Sequence, residues 1–499
     1  MRRKNLIKNI LFTLFYQIIA IISGFIIPKA IIQSYGSSVN GLVSSIGQFL
    51  AYIYIAEGGV GVIIKFLLYK PIAENDKNKI EKIMKSAQKF LFQILIIFII
   101  YVIFLCVFYP KIVSNSFETY FTITLIIVIA INRFSEYFMA MEYDLYLQAK
   151  QQNYILSSAG TISIILNTIL TIILIKLKCE IITVKAVSAC VFIARGLFIK
   201  AYVKSKYKIN LSKEIEKYEI KQKRDAFAQQ IAYIIDTNID VVLITCFLGT
   251  KEVSVYTVYM LVIKGLKSIV SAIMGGVDSS FGDMFARKEY ENASKKFSIY
   301  QFIYLNIITF LYNLCILLII PFVQIYTKGI TDANYYRPVF AVIITLAEFI
   351  YAIKLPYDLL INSAGHFKQT KKFAYIEAFI NVVLSLLLIN KLGLIGVAIG
   401  TVIAMMFKAC SVIYYFSVKV LKRNIKIDLK FLLNVLIQTL IILLMGICIS
   451  KNSIITNYID WVILAIKIGV IALIIEFFVS WILYKELIQQ IIRKIRNQD

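Results

Sequence analysis

Lys264 and Lys267 stand near the middle of a long apolar run, three residues apart on one helical face that continues through Ser271 to Gly275. Ammonium groups at that depth are expensive to bury, so such a pair either binds an anionic headgroup or bridges to carboxylates on neighbouring helices. Asp236 and Asp240 form a second pair, four residues apart on one face of the preceding run. They suit an interhelical ion pair with Lys264 or Lys267, or a desolvated carboxylate that takes up a proton and couples to an ion gradient. Arg133 and Glu136, three residues apart, either neutralise each other or offer a guanidinium for bidentate phosphate recognition. Arg195 sits at shallower depth as a further cationic candidate. Glu348, Lys354 and Asp358 mark another run, with Pro356 expected to kink it and Lys354 and Asp358 spaced to pair. Glu57 precedes Gly58 and Gly59, and reads either as a cavity carboxylate or as half of an interhelical pair. Lys29 and Lys65 lie within reach of an interface and are expected to snorkel. Glu377, Lys408, Lys467 and Glu476 are isolated charges that spacing alone leaves unassigned.

The elements that position these groups are membrane helices. Of the 499 residues 60% are hydrophobic and 17% charged, and the mean hydropathy is +0.78. Apolar stretches of about 20 residues, the length that crosses the hydrocarbon core, recur from end to end. The short alternating strands of an outer-membrane barrel are missing from the pattern. The fold class is therefore all-α integral membrane. Runs fall near 6–34, 38–68, 86–110, 118–141, 151–177, 181–203, 222–248, 253–282, 297–327, 335–363, 370–390, 393–418, 428–450 and 457–484, about 14 helices. The basic start "MRRKNLIKNILF" leads into an apolar segment too long for a cleaved signal, so it reads as a retained first span.

Lysine and arginine concentrate on alternate connections: at Arg2, Arg3 and Lys4, then within 70–89, 200–224, 287–296, 368–372, 419–430 and 485–496. That alternation places both termini and these segments on the cytoplasmic side. It accounts for most of the +25 net charge (54 − 29), which faces anionic lipid headgroups and makes nucleic-acid binding a poor reading. The seven cysteines form no CxxC pair, and the single histidine, His366, sits in a basic loop. No metal site, nucleotide loop or cofactor motif is expected.

The second and eighth runs echo each other. "EGGVG" (57–61) followed by "YKPIAEND" (69–76) matches "MGGVD" (274–278) followed by "ARKEYENA" (286–293) in one ungapped register. Gly58 and Gly59 then correspond to Gly275 and Gly276, glycines expected to serve close packing or a bend. The openings "YGSSVNGLV" (35–43) and "LGTKEVSVYTV" (248–258) agree more loosely. A parallel repeat of this kind implies two six-helix halves about a central cavity, 1–203 and 225–418, joined by a charged linker at 204–224 and followed by two added helices over 419–499.

Six plus six plus two helices, the "MRRKNLIKN" lead and the Gly-rich second helix resemble the polysaccharide-transporter branch of the multidrug/oligosaccharidyl-lipid/polysaccharide (MOP) exporters. The stretch "DTNIDVVLITCFLGTKEVSVYTVYMLV" (236–262) resembles their seventh-to-eighth helix region. The resemblance to Wzx-type flippases implies export of a polyprenyl-diphosphate-linked anionic oligosaccharide by alternating access, alongside polysaccharide polymerase and chain-length machinery. A drug/cation antiporter of the same superfamily is expected to carry acidic residues in its first helix, where this chain has none. A lipid II flippase would want the same cationic cavity. A membrane-embedded glycosyltransferase or polymerase usually shows clustered catalytic carboxylates or arginines on a sizeable loop, whereas the loops here are short or lysine-rich. The sequence therefore reads as a transporter rather than an enzyme.

Overall fold

The computed structural model describes residues 2–57, 60–209, 211, 238–274, 277–451 and 455–496. Every regular element among them is helical. Backbone polar groups in hydrocarbon must find partners within their own segment, which helices alone provide without closing a barrel. Among the described residues, twelve helical stretches are long and apolar enough to cross a membrane. The first of them, Ile7–Ala51, takes in the first expected run and the opening part of the second, which part at Gly36. The rest of the second falls on Tyr54–Glu57 and Val60–Glu74, and the seventh run is described as the short apolar helix Asn238–Phe247. Each of the fourteen expected runs is thus mainly helical over its described residues, with turns interrupting the second at 52–53 and closing the fourth at 138–140.

Contacts divide the chain into two compact units, Met1–Thr257 with Ile330–Ala333, and Val258–Gly329 with Asn334–Asp499. The first contains α1 (Arg2–Ala51), α2 (Tyr54–Glu57), α3 (Val60–Glu74), α4 (Lys77–Val113), α5 (Thr119–Tyr137), α6 (Met141–Ala149), α7 (Asn153–Lys176), α8 (Ile181–Tyr207) and α9 (Asn238–Phe247). Helix α10 (Thr250–Ile273) starts in the first unit and continues into the second. The second unit adds α11 (Val277–Ala286), α12 (Tyr290–Tyr326), α13 (Pro338–Ser363), α14 (Phe367–Leu392), α15 (Leu394–Tyr415), a π-helical turn at Phe416–Val420, α16 (Lys426–Lys451) and α17 (Tyr458–Arg496). The linker expected at 204–224 lies mostly outside the described residues.

Two features of the first unit fix its second pass. At Gly36 the backbone turns with φ of 86°, a left-handed value that glycine tolerates. The freed helix start is capped by Asp332, which accepts from the Ser37 amide and the Ser37 hydroxyl, both at 2.7 Å. A carboxylate there also meets the positive end of the helix dipole. One turn later, Gly41 packs directly on the start of α10. A methyl group on Gly41 would sit 1.7 Å from the Thr250 carbonyl oxygen. Asn40 donates to Ser254 at 2.8 Å, and Ser45 shares a 2.6 Å hydrogen bond with Thr245. Ser37, Gly41 and Ser45, spaced by four, form a small-residue stripe of the kind that lets membrane helices approach closely. The openings matched as repeats in the sequence therefore touch each other.

Candidate functional site

Intramembrane charge gathers separately in each unit. In the first, α5 presents Arg133 and Glu136, whose Nη1 and Oε2 are 3.4 Å apart with both side chains about a third exposed. The guanidinium lies over Gly47 of α1, where an added Cβ would be 3.2 Å from Nη2. Helix α8 contributes Arg195, which donates to the Glu136 carbonyl at 3.0 Å and approaches Asp144 of α6 at 3.8 Å. Glu136 is one residue from the end of α5, so this carbonyl is one of those the helix leaves open. Arg195 thus caps α5 and ties it to α6. Asp240 in α9 is buried and accepts from the Tyr256 hydroxyl at 3.0 Å.

In the second unit, four residues of α13 form one stripe: Glu348, Tyr351, Lys354 and Asp358, spaced by three, three and four. Lys267 reaches it from α10, with Nζ 3.0 Å from Glu348 Oε2 and 3.7 Å from the centre of the Tyr351 ring. Lys354 shares that ring at 4.6 Å and pairs with Asp358 at 2.9 Å, as the spacing predicted. An aromatic face attracts ammonium groups without neutralising them. Beside this stripe Glu377 of α14 pairs with Lys408 of α15. Three lysines thus meet three carboxylates across four helices. Lys264 adds a further cation, exposed and one turn from Lys267 on α10.

The arrangement can exchange charge. Glu348 is almost wholly buried while Lys267 is about one-third exposed, so an incoming anion reaches the lysine before the carboxylate. Sequence spacing missed Tyr351, although it lies three residues from both Glu348 and Lys354. The Glu377–Lys408 pair could not be read from spacing, because its partners sit on different helices. Asp236, Gly58, Gly59, Gly275 and Gly276 lie outside the described residues, and Glu57 ends α2 with its side chain also outside them. Among the described residues, no group of histidine, cysteine and carboxylate side chains is placed to hold a metal.

No protein-family model matches the chain, and no curated protein matches it in sequence. Solved structures do. The lipid II flippase MurJ in an inward closed conformation superposes with a TM-score of 0.68 at 18% identity, over 97% of this chain and 100% of that one. A MATE-family multidrug resistance transporter of the MOP superfamily, inward-facing, gives 0.56 at 16% identity over 82% of this chain and 95% of its own. A MOP superfamily transporter from Pyrococcus furiosus, whose binding pocket is described as of reverse polarity, gives 0.51 at 14% identity over 83% of this chain and 96% of its own. The chain therefore has the fold of these membrane transporters.

Proposed function

We propose that this protein is a flippase that carries polyprenyl-diphosphate-linked oligosaccharide repeat units across the cytoplasmic membrane by alternating access. The observation that supports this most is an open groove of about 670 Å³ in the second unit, walled by apolar residues of α10, α12 and α17 such as Ile269, Phe302, Phe310, Leu473 and Phe477. Among the described residues its polar lining is Asn306, Glu476 and Ser480, and Gln438 of α16 donates at 2.9 Å to both Asn306 and Ser480. A polyprenyl chain would lie along such a surface while its headgroup crosses. The groove depends on α17, one of the two helices added after the second half.

The headgroup is assigned to Lys264 and Lys267 of the second unit; within the first unit Arg133 is a separate candidate for phosphate, and Arg195 holds α5 and α6 in place. A diphosphate that takes Lys267 displaces Glu348, which then needs a proton or another cation. Asp236, Asp240, Glu57 and Glu348 are the carboxylates through which an ion gradient would act. Both termini are cytoplasmic in this reading, the halves are 1–203 and 225–418, and polymerase and chain-length machinery take up the product outside. A lipid II flippase remains the second reading, favoured by the MurJ likeness.

The test is binding by purified protein in detergent. Undecaprenyl diphosphate should bind, and Lys264→Ala with Lys267→Ala should weaken it about 100-fold, as expected for two charge-assisted contacts. Tighter binding of a lipophilic cation than of the diphosphate, unaffected by the double variant, would overturn the assignment.

A further inference from the structure

The second unit holds another pocket, polar and separate from the groove, at the basic ends of its helices. It encloses about 400 Å³, within the usual range of small-ligand sites. Three connections converge on it: the α11–α12 turn with Tyr290, the α13–α14 turn with His366, and the segment after α15 with Lys419 and Lys422. The π-helical turn Phe416–Val420, with its wider spacing, carries Lys419 at the end of α15. Lys422 holds a φ of 52°, a left-handed conformation uncommon for a residue that carries a Cβ.

Buried contacts below the pocket hold that segment. Arg423 pairs with Asp428 and also donates to Gln301 at 2.9 Å and to Ser298 at 3.0 Å. Asp428 further accepts from Ser417 at 2.6 Å and Tyr357 at 3.0 Å. Arg423 and Asp428 thus satisfy each other beneath the surface, and the two exposed lysines above are left to the pocket. Among the described residues no carboxylate stands within ion-pair distance of Lys419 or Lys422. The nearby acids are engaged, Asp283 by Arg287 at 3.1 Å and Glu289 by Asn292 at 2.9 Å. The His366 ring is fixed by a 2.9 Å hydrogen bond between Nδ1 and the Tyr415 hydroxyl. Lys422 leans over the Tyr290 ring at 5.7 Å.

We infer that this pocket binds a phosphate monoester carried on a small polar body. Two uncompensated ammonium groups on a rigid segment suit a multiply charged oxyanion. An ion of five heavy atoms fills roughly 150 Å³ at liquid packing, so the remainder accommodates a glycerol- or sugar-sized group beside Tyr290 and His366. The phosphate comes either from a soluble metabolite or from an anionic lipid headgroup on that face of the membrane. The site is independent of the substrate carried by the groove and the Lys264–Lys267 face.

Matched probes separate the two sources. Glycerol 3-phosphate is titrated into the full-length protein in detergent, and phosphatidic acid, which presents the same monoester on acyl chains, is offered in phosphatidylcholine nanodiscs. The variant Lys419→Gln with Lys422→Gln is compared with Lys426→Gln with Lys430→Gln, which removes equal charge from α16. Exposed lysines of this kind are replaceable with little effect on folding, checked by unchanged melting temperatures. Binding about tenfold weaker in the pocket variant alone is expected, with glycerol 3-phosphate for a soluble ligand or with phosphatidic acid only for a lipid. Equal losses in both variants, no loss in either, or no binding of either probe by the wild type would overturn the inference.

Discussion

Gly41→Ala is expected to destabilise the first unit by about 2 kcal/mol or more, while Gly24→Ala leaves it unchanged. The added methyl would meet the Thr250 carbonyl at 1.7 Å and the Ser254 amide nitrogen at 3.2 Å, and both are backbone atoms at the start of α10 that no rotamer change can clear. The helices must part, and parting them breaks the Asn40–Ser254 and Ser45–Thr245 hydrogen bonds in a region where water does not replace them. At Gly24 nothing lies within 4 Å of the same methyl, and both sites are helical, so propensity cancels in the comparison. Thermal unfolding of the two variants in detergent, followed by circular dichroism or light scattering, reads the difference. Equal melting temperatures would show that α1 and α10 are not packed through Gly41.

The second large effect is at Lys267 and Glu348. Lys267→Ala removes the ammonium 3.0 Å from a carboxylate that is 9% exposed, and leaves Glu348 to be protonated or solvated at a cost of about 1–3 kcal/mol. The figure is below that of a fully buried pair because Lys267 is itself 32% exposed. Lys267→Met combined with Glu348→Gln removes both charges at similar volume and is expected to recover stability to within about 1 kcal/mol of wild type. If the lysine is only structural, that double variant also recovers diphosphate binding. The account predicts that stability returns and binding does not. Melting temperature and affinity measured on the same samples separate the two roles.

Much of the architecture was legible because its determinants are local. Apolar runs and their breaks are set by a bilayer that every helix meets in the same way. Pairs within one helix were legible too, since Arg133 with Glu136 and Lys354 with Asp358 follow from helical spacing alone. What could not be read depends on which helices become neighbours. Asp332 caps Ser37 from 295 residues away, and Glu348 rather than any residue of its own helix is the carboxylate seen on Lys267. The segment around Lys419 to Lys430 looked like a solvated basic loop, yet Arg423 and Asp428 within it are buried on each other. The matched openings at 35–43 and 248–258 suggested a repeat, and nothing in the match disclosed that the two segments pack together through Gly41.

The most direct test of the central claim is translocation itself. Protein reconstituted into liposomes is given a fluorescent polyprenyl-diphosphate oligosaccharide in one leaflet, and the fraction reaching the other is measured with a membrane-impermeant quencher. The account predicts transfer faster than in protein-free vesicles, lost when Lys264 and Lys267 are both replaced by alanine in protein that remains folded. Transfer no faster than in empty vesicles, from wild-type protein that instead exports a lipophilic cation, would contradict it.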